Sequence, residues 1–233
     1  MKDYKSGSFK LGTLGEYRNQ EGAENTLERM SDRGEGLSER IYGGSSGKID
    51  RMVNGGMVFE HMSWSNCGDG ISLVDEINDY VFCASIGSYD REHHSRILFG
   101  NQSIGYNENP DLDAYAEIDL GFFLHGLKSW LTRSGNISAN REWMPRQVYA
   151  KPVIYGDRIT RRDIPNSLSV NHQIDEELYF SAVFNKPSRF QTEKEVRVVA
   201  RCKFPLFLPS GAGALFPKSQ ELRNSIVRMG VWK

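Results

Sequence analysis

The sequence predicts an α+β fold, on three observations. Strand-like and helix-like stretches both occur, but they do not alternate as regular βαβ units. The most apolar run, Tyr-Val-Phe-Cys-Ala-Ser-Ile at 80–86, is continuous, as expected of a central strand covered on both faces. Residues 122–131 instead carry apolar side chains at helical spacing, with Phe123, Leu127, Trp130 and Leu131 forming a stripe.

In chain order, residues 8–13 read as a first strand and residues 14–19 as a helical turn. Residues 20–50 are polar and rich in Gly, Glu and Arg. A short helix at 25–30, capped by Asn25, would sit there in an otherwise loop-like stretch. The glycine-rich run from Tyr42 to Gly47 reads as flexible loop and not as a phosphate cradle. Residues 57–62 are strand-like, 66–70 a turn and 89–113 a polar loop. Residues 115–120 read as a strand, and Ser134-Gly135 ends the helix that follows. Residues 147–155 alternate weakly as a strand, with Pro152 marking an edge or a bulge. Residues 175–184 fit helix or strand. Residues 193–202 read as a strand, 205–213 as loop and 220–229 as a last short helix. No Pro/Gly/Ser linker divides the 233 residues, so a single domain, 1–233, is expected.

Twelve Phe, ten Tyr and four Trp can fill a sizeable core, which excludes a disordered chain. The formal charge of −1 is unevenly spread. Residues 186–233 hold ten Lys/Arg against three Glu, a net of +7, leaving about −8 elsewhere. A basic end suits an anionic ligand such as a dinucleotide or an RNA. A uniformly basic nucleic-acid binder is disfavoured. The three cysteines form no C-x-x-C pair, and Cys83 and Cys202 lie in apolar runs, as reduced core residues do. The start has no apolar signal core, and no stretch approaches the ~20 apolar residues that span a bilayer. A soluble, cytoplasmic protein with no membrane partner is expected.

The sequence holds no P-loop, nucleophile-elbow or H-E-x-x-H motif. His93-His94 lacks a Cys/Asp/Glu frame at ligand spacing, so no metal site is expected there. His61 and His125 read as ordinary core or surface histidines, and Arg161-Arg162 as a solvated pair.

The informative stretch is late. From Glu193 the chain reads as a strand with Val196, Val198, Ala200 and Cys202 on one face and Glu193, Glu195, Arg197, Val199 and Arg201 on the other. Two carboxylates two residues apart, roughly 7 Å between Cα atoms, can together grip a small polar ligand. The preceding residues 185–190 have turn chemistry suited to presenting one. Two earlier features complete the set. Ser85 and Ser88 close the apolar strand with hydroxyls that orient a carboxylate or bind a ribose. Tyr17-Arg18 follows the first strand and offers a guanidinium for a phosphate.

An arginine, then Ser-x-x-Ser on a strand, then Glu-x-Glu-Val on a late strand resembles the arginine/serine/glutamate class of the ADP-ribosyltransferase superfamily. The resemblance covers isolated motifs, with Ser-Ile-Gly-Ser where the family has Ser-Thr-Ser. It implies a split sheet with a few short helices, and NAD as the substrate. It implies Arg18 on the first core strand holding the pyrophosphate, with Arg33 or Arg40 as substitutes. It implies Ser85 orienting Glu195, Glu195 holding the ribose 2′-hydroxyl and steadying an oxocarbenium-like cation, and Glu193 positioning or deprotonating the acceptor. At ~4 Å and an effective dielectric near 20 the Glu195 contact is worth about 4 kcal/mol. Arg197 either binds phosphate or neutralises Glu195 in a structural ion pair.

A broader likeness takes in Phe-Lys-Leu-Gly-Thr-Leu-x-x-Tyr-Arg18, Arg33-Gly-Glu-Gly36, Val-Phe-Cys-x-Ser85, Val-Ile-Tyr155 and Lys-Pro-x-x-Phe-x-x-Glu-x-Glu-x-Arg197. It is similar to a family of small bacterial, phage-associated proteins of unassigned function, which implies a prophage or phage-conflict setting. Together these suggest a toxin or immune effector acting on a protein or nucleic-acid acceptor. Two other classes stay open. One is a non-enzymatic binding protein that uses Glu193, Glu195, Arg197 and Arg201 as a charged face. The other is a metal-dependent nuclease built on Asp32, Glu35, Glu193 and Glu195.

Overall fold

The computed structural model describes residues 7–19, 36–54, 57–65, 68, 70–87, 90, 92, 114–137, 145–157, 161–164, 170–171, 176–202 and 214–231. The fold is α+β with small open sheets, as the mixture of patterns predicts.

The sheet that matters for the site has four antiparallel strands in the order β1, β6, β13, β8. These are β1 (Gly12–Thr13), β6 (Tyr80–Ser85), β13 (Glu195–Cys202) and the edge strand β8 (Pro145–Pro152). β6 and β13 are the inner pair, which explains their apolar sequences. Period two sends alternate side chains to opposite faces, and both faces are covered. On one side Val198 and Ala200 of β13 and Tyr80 of β6 pack with Phe9, Leu11, Phe123, Leu127 and Leu131. Three of these lie on helix α2 (Leu120–Ile137), which realises the predicted apolar stripe. The rings of Phe9, Phe82 and Phe123 pack at centroid distances of 4.7–5.8 Å. Gly126 of α2 has a packing reason. A Cβ there would lie 2.9 Å from the backbone nitrogen of Leu222 in α4 (Gln220–Asn224), so only glycine allows the two helices to approach.

On the other side Val199 and Val81 pack with Leu14, Tyr179, Val183 and Phe184. The last three belong to α3 (Glu176–Phe184), so of the ambiguous stretch 175–184 the described residues, 176–184, resolve as helix. β13 brackets this helix with two arginines. Arg201 pairs with Glu176 in its first turn at 2.9 Å, and Arg197 donates to the carbonyl of Val183 in its last turn. The spans match: four residues of strand cover about 13 Å and seven of helix about 10 Å. Carbonyls in the last turn of a helix have no intrahelical donor, so the buried guanidinium caps the C-terminus and complements its dipole.

Several expectations need correction. The first strand is shorter than 8–13: only residues 12–13 pair with β6, while Ser8 and Leu11 make single bridges to Lys218 and Leu215. The polar stretch 37–50 is not loop. It forms β2 (Leu37–Gly43) and the start of β3 (Gly47–Asn54), and the glycine-rich run between them is the bend that separates two sheets. β2 pairs with β5 (Gly70–Glu76) and β10 (Arg161–Ile164), while β3 pairs with β4 (Met57–Trp64) and β11 (Val170–Asn171). The final helix stops at Asn224, and β14 (Ile226–Val231) follows, paired with β7 (Ala114–Ile118). The predicted helix at 25–30 and the loop at 205–213 lie outside the described residues, as does most of the 89–113 loop. Among the described residues no helix is long and apolar enough to cross a membrane.

Candidate functional site

The site is assembled by the short path from α3 into β13. After Phe184 the chain forms β12 (Asn185–Lys186), which lies parallel to β9 (Ile154–Tyr155) with Lys186 opposite Tyr155. Pro187 then opens a 3₁₀ helix, Ser188–Glu193, anchored by the buried ring of Phe190. Lys194 takes the left-handed conformation, φ 45° and ψ 47°, and turns the chain into β13. Glu193 is therefore not in the strand, as the alternating pattern implied. It ends a 3₁₀ turn, and the strand starts at Glu195.

The two carboxylates still meet, because a lysine holds both. Lys186 Nζ lies 2.8 Å from Glu193 Oε2 and 2.7 Å from Glu195 Oε2. Arg197 Nε takes the other oxygen of Glu195, Oε1, at 2.5 Å. The side chains of Lys186, Glu195 and Arg197 are all less than a tenth exposed, and that of Glu193 is 14% exposed. This is a buried four-charge cluster and not a wet strand face. Of the two roles open to Arg197, its geometry gives the ion pair: it is fully buried, bonded to Glu195 and to the end of α3.

The two carboxylates are driven apart in acidity. Burial opposes the ionisation of Glu195. The charges of Arg197 and Lys186, with hydrogen bonds from Arg197 and the Cys83 thiol, outweigh it and bring its pKa down to about 2. For Glu193 burial wins: its pKa is raised despite Lys186, and the neighbouring Glu195 adds to the rise. Glu195 keeps its charge to lower pH than an ordinary carboxylate, and Glu193 takes up its proton at a higher pH than usual. A pair pushed apart in this way is the usual basis of divided acid–base roles.

Ser85 is the register partner of Glu195 across β6 and β13, so both lie on one face of the sheet, and it is exposed. Ile86 N–H donates to the Lys194 carbonyl at 2.7 Å and extends that ladder past the strand end. Arg18 stands elsewhere. It lies on helix α1 (Leu14–Asn19), not on a first strand, and Tyr17 lies on the same helix. That helix starts from Thr13, paired with Tyr80 at the opposite end of β6 from Ser85, about 17 Å away at strand rise. The basic groups at the carboxylates are Lys186 and Arg197 instead. Arg40, an alternative, is buried on β2. Ser88, Arg33, Asp32, Glu35 and His93-His94 lie outside the described residues.

No family model, curated protein or solved structure matches the chain. What the cluster can do must follow from its own chemistry.

Sequence reasoning missed Lys186 and Tyr155. The Tyr155 phenol oxygen accepts the backbone N–H of Glu195 at 2.7 Å, while the Glu195 carbonyl accepts from Val153 at 2.9 Å. Lys186 carried a readable signal in its closeness to Glu193. Tyr155 stands in the broader likeness, but nothing local ties it to Glu195, forty residues away.

The left-handed Lys194 gives a direct test of the turn. An L-residue in this conformation is disfavoured by about 1–2 kcal/mol, and glycine is not, although glycine has more chain entropy to lose. Lys194→Gly is expected to be neutral or stabilising by up to about 1 kcal/mol, and Lys194→Val destabilising by more than about 1 kcal/mol, in chemical unfolding.

Proposed function

We propose that this cluster is the reaction centre of a glycosyl-transferring enzyme that takes ADP-ribose from NAD. The observation that carries the reading is the divided pair: an ionised, fixed Glu195 beside a Glu193 of raised pKa, with the Ser85 hydroxyl in register across the strand. The strands that carry Ser85 and Glu195, residues 80–85 and 195–202, are neighbours in one sheet, while Arg18 lies on neither.

In the step, the bond between ribose C1′ and the nicotinamide nitrogen breaks. Its electron pair leaves with nicotinamide and discharges the pyridinium. The sugar is left as an oxocarbenium-like cation. Glu195 faces that charge as an anion. Its worth is below the bare-carboxylate figure of about 4 kcal/mol, because Lys186 and Arg197 already lie on it. The acceptor then bonds to C1′ and gives its proton to Glu193. Lys186 and Arg197 position the carboxylates and do not touch the sugar. The acceptor class is a protein side chain, a nucleic acid or water, and the setting is a toxin or phage-conflict protein.

A second reading has its own support. Both oxygens of Glu195 are already engaged, as they would be in an ion-pair fastening within a binding protein. A nuclease fits less well, since the Lys186 ammonium sits between the carboxylates where a divalent cation would bind.

The test is incubation with NAD labelled in the adenylate half, alone and with lysate. Release of nicotinamide with label appearing in macromolecules or free ADP-ribose is the expected result. Intact NAD in both arms overturns the reading in favour of the binding protein.

A further inference from the structure

Tyr155 faces both the buried charges and the outside. Like Glu193 it is half-buried, whereas Lys186, Glu195 and Arg197 are buried. Its place is fixed twice: by the pairing of β9 with β12, which sets it opposite Lys186, and by the Glu195 N–H that its oxygen accepts. A phenol oxygen carries one hydrogen and accepts through its lone pairs. With Glu195 N–H on the accepting side, the O–H hydrogen turns away from the strand.

The neighbouring groups make that hydrogen useful. When ionised, Glu193 and Glu195 only accept hydrogen bonds, and the charged ends of Lys186 and Arg197 are engaged by those carboxylates and by the Val183 carbonyl. A ligand rich in oxygen acceptors would therefore find its donors in the phenol of Tyr155 and the exposed hydroxyl of Ser85. Burial, with Glu195 and Glu193 nearby, raises the phenol's pKa, although the Glu195 N–H and Lys186 oppose the shift, so the proton stays on at working pH.

We infer that Tyr155 is a positioning residue of this site, its O–H donating to a ribose or phosphate oxygen of the bound dinucleotide. The inference rests on the NAD reading. Two replacements separate the two jobs of the phenol. Tyr155→Phe removes both the donor and the acceptor for Glu195 N–H. O-methyltyrosine in place of Tyr155 keeps an oxygen to accept that N–H but has no hydrogen to give.

KM and kcat for NAD, ADP-ribose affinity and melting temperature are measured for all three proteins. Both variants are expected to raise KM and weaken ADP-ribose binding about three- to tenfold, what one neutral hydrogen bond contributes, with kcat within about twofold. Only Tyr155→Phe should also lower the melting temperature. If Tyr155→Phe does not fold, the O-methyl protein carries the test. Wild-type KM and affinity in the O-methyl protein would reduce Tyr155 to a fastener of β13 and overturn the inference alone. A loss confined to kcat would also overturn it. A wild-type protein that neither binds nor consumes NAD would remove the inference and the NAD reading together.

Discussion

Arg197→Met is expected to lower the unfolding free energy by about 3–5 kcal/mol at pH 7, the range seen when one partner of a buried pair is removed. Arg197 is fully buried, and its loss would strip Glu195 of one counter-ion and the end of α3 of its cap. The sign with pH follows from Glu195. Its folded pKa of about 2 lies below the ordinary 4.5, so its ionised form stabilises the fold fully above about pH 4.5, and that contribution is lost as pH falls toward 2. In Arg197→Met the same carboxylate is poorly compensated at neutral pH and becomes neutral on acidification. The gap between wild type and variant should therefore narrow between pH 7 and pH 3. Replacing both partners, Glu195→Leu with Arg197→Met, should recover much of the loss, because an apolar pair has no charge to bury and Lys186 keeps Glu193. Urea unfolding at both pH values measures all three. A single-variant cost below about 1 kcal/mol would mean that the pair is solvated and not buried as described.

The parts of this arrangement differ in how far the sequence discloses them. β6 and α2 are legible because one is an unbroken apolar run and the other a regular stripe: residues 80–84 are continuously apolar, and Phe123, Leu127 and Leu131 recur at helical spacing. β13 is legible from Val196 onward, and the alternation correctly puts Glu195, Arg197 and Arg201 on one face. The pattern then misleads at Glu193. Glu-x-Glu has strand periodicity, but Lys194 is left-handed, and it is the hook through Lys186, not the pleat, that brings the carboxylates together. β2 is hidden because a half-buried polar strand with Ser38 and Arg40 facing inward looks like loop when hydropathy is the guide. The position of Arg18 is legible too: the helical turn read at residues 14–19 is the helix found there, and it is the resemblance, not the local pattern, that puts Arg18 on a strand. Long-range pairings such as Ser85 with Glu195 and Tyr155 with Glu195 belong to register, which a single sequence does not encode locally.

Glu193→Gln separates function from fold more cleanly than any change at Glu195. Glu193 has a raised pKa, so the folded state favours its protonated form. That preference stabilises below the ordinary carboxylate pKa and is lost as pH rises through the raised value, above which ionised Glu193 is a net cost to the fold. A neutral glutamine of the same shape should then be as stable as wild type at pH 7, or more so, and Lys186 retains Glu195 as its partner. The same change removes the only proton acceptor assigned to the transfer step. NAD turnover should fall about 10²–10⁴-fold in kcat, the usual worth of a general base. In wild type, activity should rise with pH through the pKa of Glu193, and the residual activity of the variant should lack that limb. Thermal melting together with a pH–rate profile decides the matter. A stable Glu193→Gln protein with wild-type kcat would leave the divided carboxylates without a catalytic role. A stable protein without turnover would mean that the fold carries a buried charge at a cost, with the reaction as the return.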